Sequence, residues 1–308
     1  MSMTPVFSGG SGRSGTTAVV NILNRHPEFC ASMPRELRFV TDNYGLLDLN
    51  FRSERKSAYP ARTLASKIGR DFLKMDSLID KKLFLKRMQA DWWRRVGKNG
   101  EAAGLIQAMN REDLDKILTN FTLTSKYDLK EASRELFYSI ADIQVRSESS
   151  RYFADSTPVN IMNAVHINEL LQGSKFINMI RDGRDVVSSV LTQRWGPTDA
   201  LDGLAWWKNR IIEGHHQMMK LDKSQVMELR LEELVELNRE ESYQRLLNFL
   251  DLQDHPRMRK YFNETIRSEK MSQGNWKTQV PDPGRFDQRY LEILTELEES
   301  GIWITQHY

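Results

Sequence analysis

One cysteine, Cys30, stands among the 308 residues. That excludes an intramolecular disulfide and a cysteine-based metal cluster, and it suits a reducing compartment. Histidine is scarce too, at six, and no set of ligand-type residues has metal-binding spacing, so no metal is expected. No apolar run approaches the ~20 residues of a membrane span, and no basic-then-apolar leader precedes the first motif. Repeats and low-complexity tracts are lacking. What is present is ordinary globular composition, 40% hydrophobic and 28% charged. That is enough to bury a sizeable core, and it rules out a disordered or collagen-like chain. The length suits two average domains or one large α/β unit.

Net charge is also small, at +2, but it is unevenly spread. Residues 51–100 carry 14 Lys or Arg against 5 Asp or Glu. Such a stretch is either a set of solvated helices with basic outer faces or a surface that attracts an anionic substrate. Nucleic acid is not an expected partner, because no zinc-finger, basic-zipper or RNA-recognition signature is present.

The apolar pair Val6-Phe7 leads into Ser8-Gly9-Gly10-Ser11-Gly12-Arg13-Ser14-Gly15-Thr16-Thr17, and Ala18, Val19, Ile22 and Leu23 follow at helical spacing. This predicts strand, glycine-rich loop, helix. A second such unit has a strand at Phe176 to Ile180, a turn at Arg181-Asp182-Gly183-Arg184, and a helix face of Val186, Val187, Val190 and Leu191. Tyr152 to Ala154 and Val226 to Leu229 predict two more strands. Alternating strands and helices imply a parallel sheet with ligand groups at the strands' carboxyl ends. Residues 41–150 read instead as a helical insertion, anchored by Leu83-Phe84-Leu85, Trp92-Trp93 and Leu136-Phe137. Leu234 to Leu250 is expected to be helical, Ser268 to Arg285 a long loop, and Phe286 to Glu299 a final helix.

Gly10, Gly12 and Gly15 permit a backbone that aims successive amides into one concavity at a helix start, which is a phosphate site. Gly10 and Gly15 have the spacing of a nucleoside-triphosphate loop, but Thr16 stands where its lysine belongs. A kinase or other phosphotransferase is therefore the alternative reading, with a non-catalytic nucleotide-binding protein as a second. The cation has moved upstream to Arg13, within reach of a bridging or leaving oxygen.

Here the sequence resembles the sulfotransferases that use 3'-phosphoadenosine 5'-phosphosulfate (PAPS). Gly12-Arg13-Ser14-Gly15-Thr16-Thr17 is similar to their 5'-phosphosulfate loop, in the arginine form of the tyrosylprotein branch. Phe176 through Ser189 is similar to their 3'-phosphate segment, with Arg181 and Ser189 as its binding residues. The resemblance implies a three-layer α/β fold like that of P-loop nucleotidases, with a central parallel sheet. It implies a single domain over 1–308, with 41–150 inserted to shape the acceptor site and 267–285 a loop over the nucleotide. PAPS is then the co-substrate and adenosine 3',5'-bisphosphate (PAP) the product.

Sulfuryl transfer to a hydroxyl needs a base for the acceptor proton. His26, His166, His215 and His216 lack a suitable setting. Arg35-Glu36-Leu37-Arg38-Phe39 resembles the base segment of the tyrosylprotein and heparan sulfate branches. That makes Glu36 the expected base, with Arg38 holding it or contacting the acceptor, while Arg13 stabilises charge on the group in flight. Asp155-Ser156-Thr157-Pro158 resembles a family element in which a lysine occupies the place of Ser156, leaving Ser156 as a hydrogen-bond donor at most. Glu232 and Glu233 are expected to be structural. Ser272 to Lys277 resembles the loop that closes over the nucleotide, with Lys270 or Lys277 near the 3'-phosphate and Trp276 on the base or anchoring the loop. The expected acceptor is a carbohydrate, glycolipid, small metabolite or peptidyl tyrosine, and the basic stretch, through Arg52, Arg55 and Lys56, adds an anionic acceptor. A glycine loop starting at residue 9 leaves no room for an anchor before it, so a soluble, bacterial, cytoplasmic enzyme is expected.

Overall fold

The computed structural model describes residues 3–52, 54–55, 76–96, 100–145, 147–193 and 195–304. The strands are β1 (Thr4–Gly10), β2 (Phe29–Ala31), β3 (Arg95–Val96), β4 (Ala102–Ala103), β5 (Tyr152–Asp155), β6 (Lys175–Ile180) and β7 (Val226–Arg230). Five of them form one parallel sheet in the order β2-β5-β1-β6-β7. Parallel strands buried on both faces read as continuous apolar runs, and alternate residues separate onto the two faces. Phe7, Phe153 and Phe176 face one buried cluster, whereas Val6, Ala154 and Ile177 face another.

The first face is covered by the helices between β2 and β5. Phe84, Phe121 and Phe137 pack in the same cluster as Phe7 and Phe176. The opposite face is covered by the helix Thr16–Leu23 and by Tyr243, Leu246 and Phe262 from the helices Arg239–Phe249 and Pro256–Thr265. A third cluster joins the helix Gly183–Leu191 to the helices Ala200–Met218 and Pro283–Glu299, through Val186, Val187, Trp207, Phe286 and Tyr290. The chain is thus mixed α/β with a helix-flanked central parallel sheet.

Several local expectations change. β2 was not anticipated, and the 41–150 stretch is not wholly helical, since β3 and β4 pair antiparallel, Arg95 with Ala103. The last helix begins at Pro283 rather than Phe286, because Asp282 caps it by accepting from Arg285 N at 3.0 Å and proline suits a first helical turn. The segment before it holds a short helix, Trp276–Gln279. The expected Leu234–Leu250 helix is a π-helical turn, Glu233–Leu237, followed by Arg239–Phe249.

The basic stretch is less open than its charge suggests. Arg52 pairs with Asp80, and Arg55 with Asp48 at 2.5 Å. Arg55 also donates to the Thr41 carbonyl at 2.8 Å. Two of the three cations expected to meet an anionic acceptor therefore hold the fold instead. Lys56 and the side chain of Lys270 lie outside the described residues. Among the described residues, no helix is long and apolar enough to cross a membrane.

Candidate active site

β1 ends at Gly10 beside Met179 of β6. A Cβ on Gly10 would lie 2.3 Å from the Met179 carbonyl oxygen and 2.5 Å from Ser14 Oγ, so only glycine fits. Gly12 (φ 90°), Arg13 (φ 56°) and Gly15 (φ 93°) then take the left-handed backbone that curls a loop's amides into a concavity. Ser8 Oγ donates to the Thr16 carbonyl at 3.2 Å and braces the loop. Thr16 is buried and Thr17 exposed in the first turn of the following helix. Ser14 is fully buried, and among the described residues its Oγ has no hydrogen-bond partner. An orphaned hydroxyl costs about 1–3 kcal/mol, and an oxyanion cradled by this loop would satisfy it. The residues present therefore fit the phosphosulfate end of a nucleotide such as PAPS.

The next strand brings the second loop to the same edge. Arg181 is buried, and its guanidinium donates to the Arg13 carbonyl at 3.0 Å and to the Ser272 carbonyl. Arg13 Nε donates to Ser189 Oγ at 2.8 Å. The structure thus gathers Arg13, Arg181 and Ser189, which are distant in sequence. Their neighbours are scaffold. Asp182 caps its helix by accepting from Arg184 N at 2.8 Å, and its own N–H donates to Glu232 at 2.9 Å. Arg184 bonds Asp182 and Asp287 at 2.6 Å each and lies over the rings of Trp276 and Tyr290. Asp185 accepts from Gly274 N at 2.8 Å. Burial pushes the Asp185 carboxyl up to about 6, while the Arg181 guanidinium pulls the other way. Trp276 is buried against Phe286, which makes it the anchor of its loop. Lys277 is exposed, its ammonium 5.7 Å from the Trp276 ring centre.

On the other side of β1, the end of β5 holds the Glu36 turn. The Arg35 carbonyl accepts from Ser156 N at 2.9 Å and from Ser156 Oγ at 3.0 Å. Leu37 N donates to Asp155 Oδ1 at 2.8 Å. Asp155 also accepts from Thr157 Oγ1 at 3.0 Å and Asn160 Nδ2 at 2.7 Å. It is buried, and desolvation lifts its carboxyl to about 6 despite those three donors, with the Glu36 charge pushing the same way. Glu36, half-buried, is therefore pinned on both sides at the sheet edge that carries the glycine loop. Arg38 is more exposed and pairs with Asp42 at 3.3 Å.

Sequence reasoning missed two arginines here. Arg95, on β3, feels the charges of Glu36, Arg38 and Asp42, and burial lowers its pKa. Arg210 reaches the Ser11 carbonyl from the helix Ala200–Met218 at 3.1 Å. The four-residue spacing of Trp206 and Arg210 was a signal that both share one helix face.

The family model for the Sulfotransferase family matches residues 5–256, which contain the glycine loop, the Glu36 turn and the Arg181–Ser189 segment. The chain belongs to the sulfotransferase family. A relative, protein-tyrosine sulfotransferase 2 of Gallus gallus, is 28% identical over 115 residues, covering 36% of this chain and 31% of the relative. The aligned part therefore spans about a third of that protein. Among solved structures, the sulfotransferase domain of the Synechococcus PCC 7002 olefin synthase aligns with 98% of this chain and 96% of its own. It does so at 14% identity and a TM-score of 0.50, a likeness of fold. Within this sulfotransferase-family chain, the matched span covers the central sheet from Pro5 of β1 through β7.

Proposed function

We propose that this chain transfers a sulfuryl group from PAPS to a hydroxyl, in preference to an amine, by in-line displacement. The observation that carries the proposal is the fully buried Ser14 hydroxyl, which has no hydrogen-bond partner among the described residues, inside a left-handed glycine loop. Bound PAPS would supply an activated sulfuryl group whose leaving group is a nucleotide phosphate. Gly12, Ser14, Gly15, Thr16 and Thr17 surround its 5' end with amides and hydroxyls, in a preorganised site of the kind that stabilises group transfer. Arg181 and Ser189 serve the 3'-phosphate, with Lys277 at the periphery. Arg13 can exchange its bond to Ser189 for one to the transferring or departing oxygens. Glu36, fixed by the Asp155 and Ser156 contacts, takes the proton of the attacking hydroxyl. Arg38 lies two residues on, on the acceptor side. The domain reading fits the same picture, with 41–150 forming the acceptor wall and 267–285 covering the nucleotide. The acceptor is a carbohydrate, glycolipid, small metabolite or peptidyl tyrosine.

The test is a panel of such acceptors with sulfate-labelled PAPS, run beside thermal shifts with PAP and with ATP–magnesium. Labelled product and a PAP-dependent shift are expected. Glu36→Gln should lower kcat by roughly 10²–10⁴-fold while PAP affinity stays within about twofold. A shift with ATP–magnesium and none with PAP would sink the proposal.

A further inference from the structure

The family element that carries a lysine has Ser156 in this chain, and Ser156 Oγ is spent on the Arg35 carbonyl. A cation nevertheless stands at the glycine loop, from a different element. Arg210 lies in the middle of the helix Ala200–Met218. Its Nη1 donates to the Ser11 carbonyl at 3.1 Å, and its guanidinium lies 4.2 Å from the ring centre of Trp206. The same indole approaches the loop directly. A Cβ placed on Gly12 would lie 3.8 Å from the Trp206 ring edge, with Pro158 and Trp195 at 3.9 Å. Trp206 thus forms a plate between helix and loop, on which the guanidinium rests.

We propose that Arg210 is the cation that serves the 5'-end anion of the nucleotide donor, in place of the lysine missing at Ser156.

The argument is electrostatic. Among the described residues, no carboxylate pairs with Arg210, and burial alone acts on it, lowering its pKa to about 10. At neutral pH it remains charged. Arg210 is half-buried, and a partly desolvated charge with no counter-ion beside an anion-shaped loop marks a candidate ligand contact. The loop it grips has the left-handed glycines and the unpartnered Ser14 hydroxyl already described, so an anion seated there would be the missing counter-charge. Other arginines of the site are engaged differently. Arg184 has two carboxylates, and Arg181 bridges two backbone carbonyls beside Asp185. Arginine also suits the position in a way lysine would not. Its planar head can stack on an indole and still donate in its own plane.

The inference rests on the donor-site reading above, and one binding experiment separates the two. Dissociation constants for PAPS, PAP and adenosine 3'-monophosphate would be measured by calorimetry on the wild-type chain and on Arg210→Gln. The proposal expects PAPS and PAP to bind about tenfold more weakly to the variant, while adenosine 3'-monophosphate, which lacks the 5' anion, changes by less than about twofold. An equal loss for all three ligands, or no loss for any, overturns it. If Arg210→Gln does not fold, Arg210→Lys carries the test. It keeps the charge but loses the stacked planar head, so PAPS and PAP should bind about threefold more weakly while adenosine 3'-monophosphate is unchanged, and an equal effect on all three ligands, or none on any, overturns the proposal. If the wild-type chain itself binds neither PAPS nor PAP, the donor-site reading is what fails.

Discussion

The loops after β1 and β6 leave neighbouring parallel strands at the same edge and each enters a helix, yet they are made of opposite materials. The first is backbone. Its shape comes from three left-handed residues, and among the described residues its buried Ser14 hydroxyl has no hydrogen-bond partner. The second is a mesh of satisfied charges, in which Asp182, Arg184, Asp185, Glu232 and Asp287 hold one another or the chain around them. The glycine loop is therefore shaped by backbone and bordered by arginines from other elements, while the charge-rich motif after β6 serves mostly to hold the fold. Arg181 and Arg184 belong to one short motif, but of the two it is Arg181 that joins the glycine loop to the Ser272 segment.

Breaking the mesh should have the largest effect. Arg184→Met would strand the carboxylates of Asp182 and Asp287, and a loss of about 3 kcal/mol in urea denaturation is expected. A loss below about 1 kcal/mol would erase the contrast between the loops. The end of β5 extends the comparison, since Asp155 is another buried carboxylate that holds backbone. Its pKa, lifted to about 6, lies above the ~3.9 of an unfolded chain, so the folded protein binds this proton first. Its contribution to stability is complete at low pH and is lost as pH rises through 6. Asp155→Asn removes that titration, so the stability deficit of the variant should be about 2 kcal/mol smaller at pH 7 than near pH 4.5. A deficit independent of pH would place the Asp155 pKa at its ordinary value. The smallest effect on the fold belongs to the glycine loop. Ser14→Ala discards an orphaned hydroxyl, so stability should hold or rise by up to about 1 kcal/mol while PAP affinity falls about tenfold. A clear drop in stability would mean that the hydroxyl already has a partner.

How much of this was legible depends on whether a residue acts through its own backbone or through a distant partner. Gly10 and Gly15 were readable because a left-handed turn and a close strand crossing admit almost nothing else. The strands β1, β5, β6 and β7 were readable from their apolar runs. β2 was not. It has three residues, too few for a pattern, and exists because Phe29–Ala31 pairs with Tyr152–Ala154. Trp276 was ambiguous in sequence, since an indole suits a base or a core, and the structure packs it against Phe286. The inward turn of Ser156 toward Arg35, the pairing of Arg38 with Asp42, and the bond between Arg13 and Ser189 all depend on tertiary neighbours. Arg210 was hidden for the same reason: its spacing from Trp206 puts both on one helix face, but only the tertiary fold brings that face to Ser11.

The place of β1 in the sheet also governs when the site can exist during synthesis. β1 is made first but lies in the centre, where Thr4 waits for Tyr152 and Val6 for Lys175. Until more than half the chain has emerged, Val6 and Phe7 form a nascent segment with both edges unpaired, the kind that chaperones cover and that aggregates when they do not. Such long-range pairing also slows folding. The glycine loop leaves that strand, so it cannot acquire its final curvature until Met179 arrives beside Gly10. An N-terminal fragment ending before β6 would thus carry every residue of the loop and none of its shape.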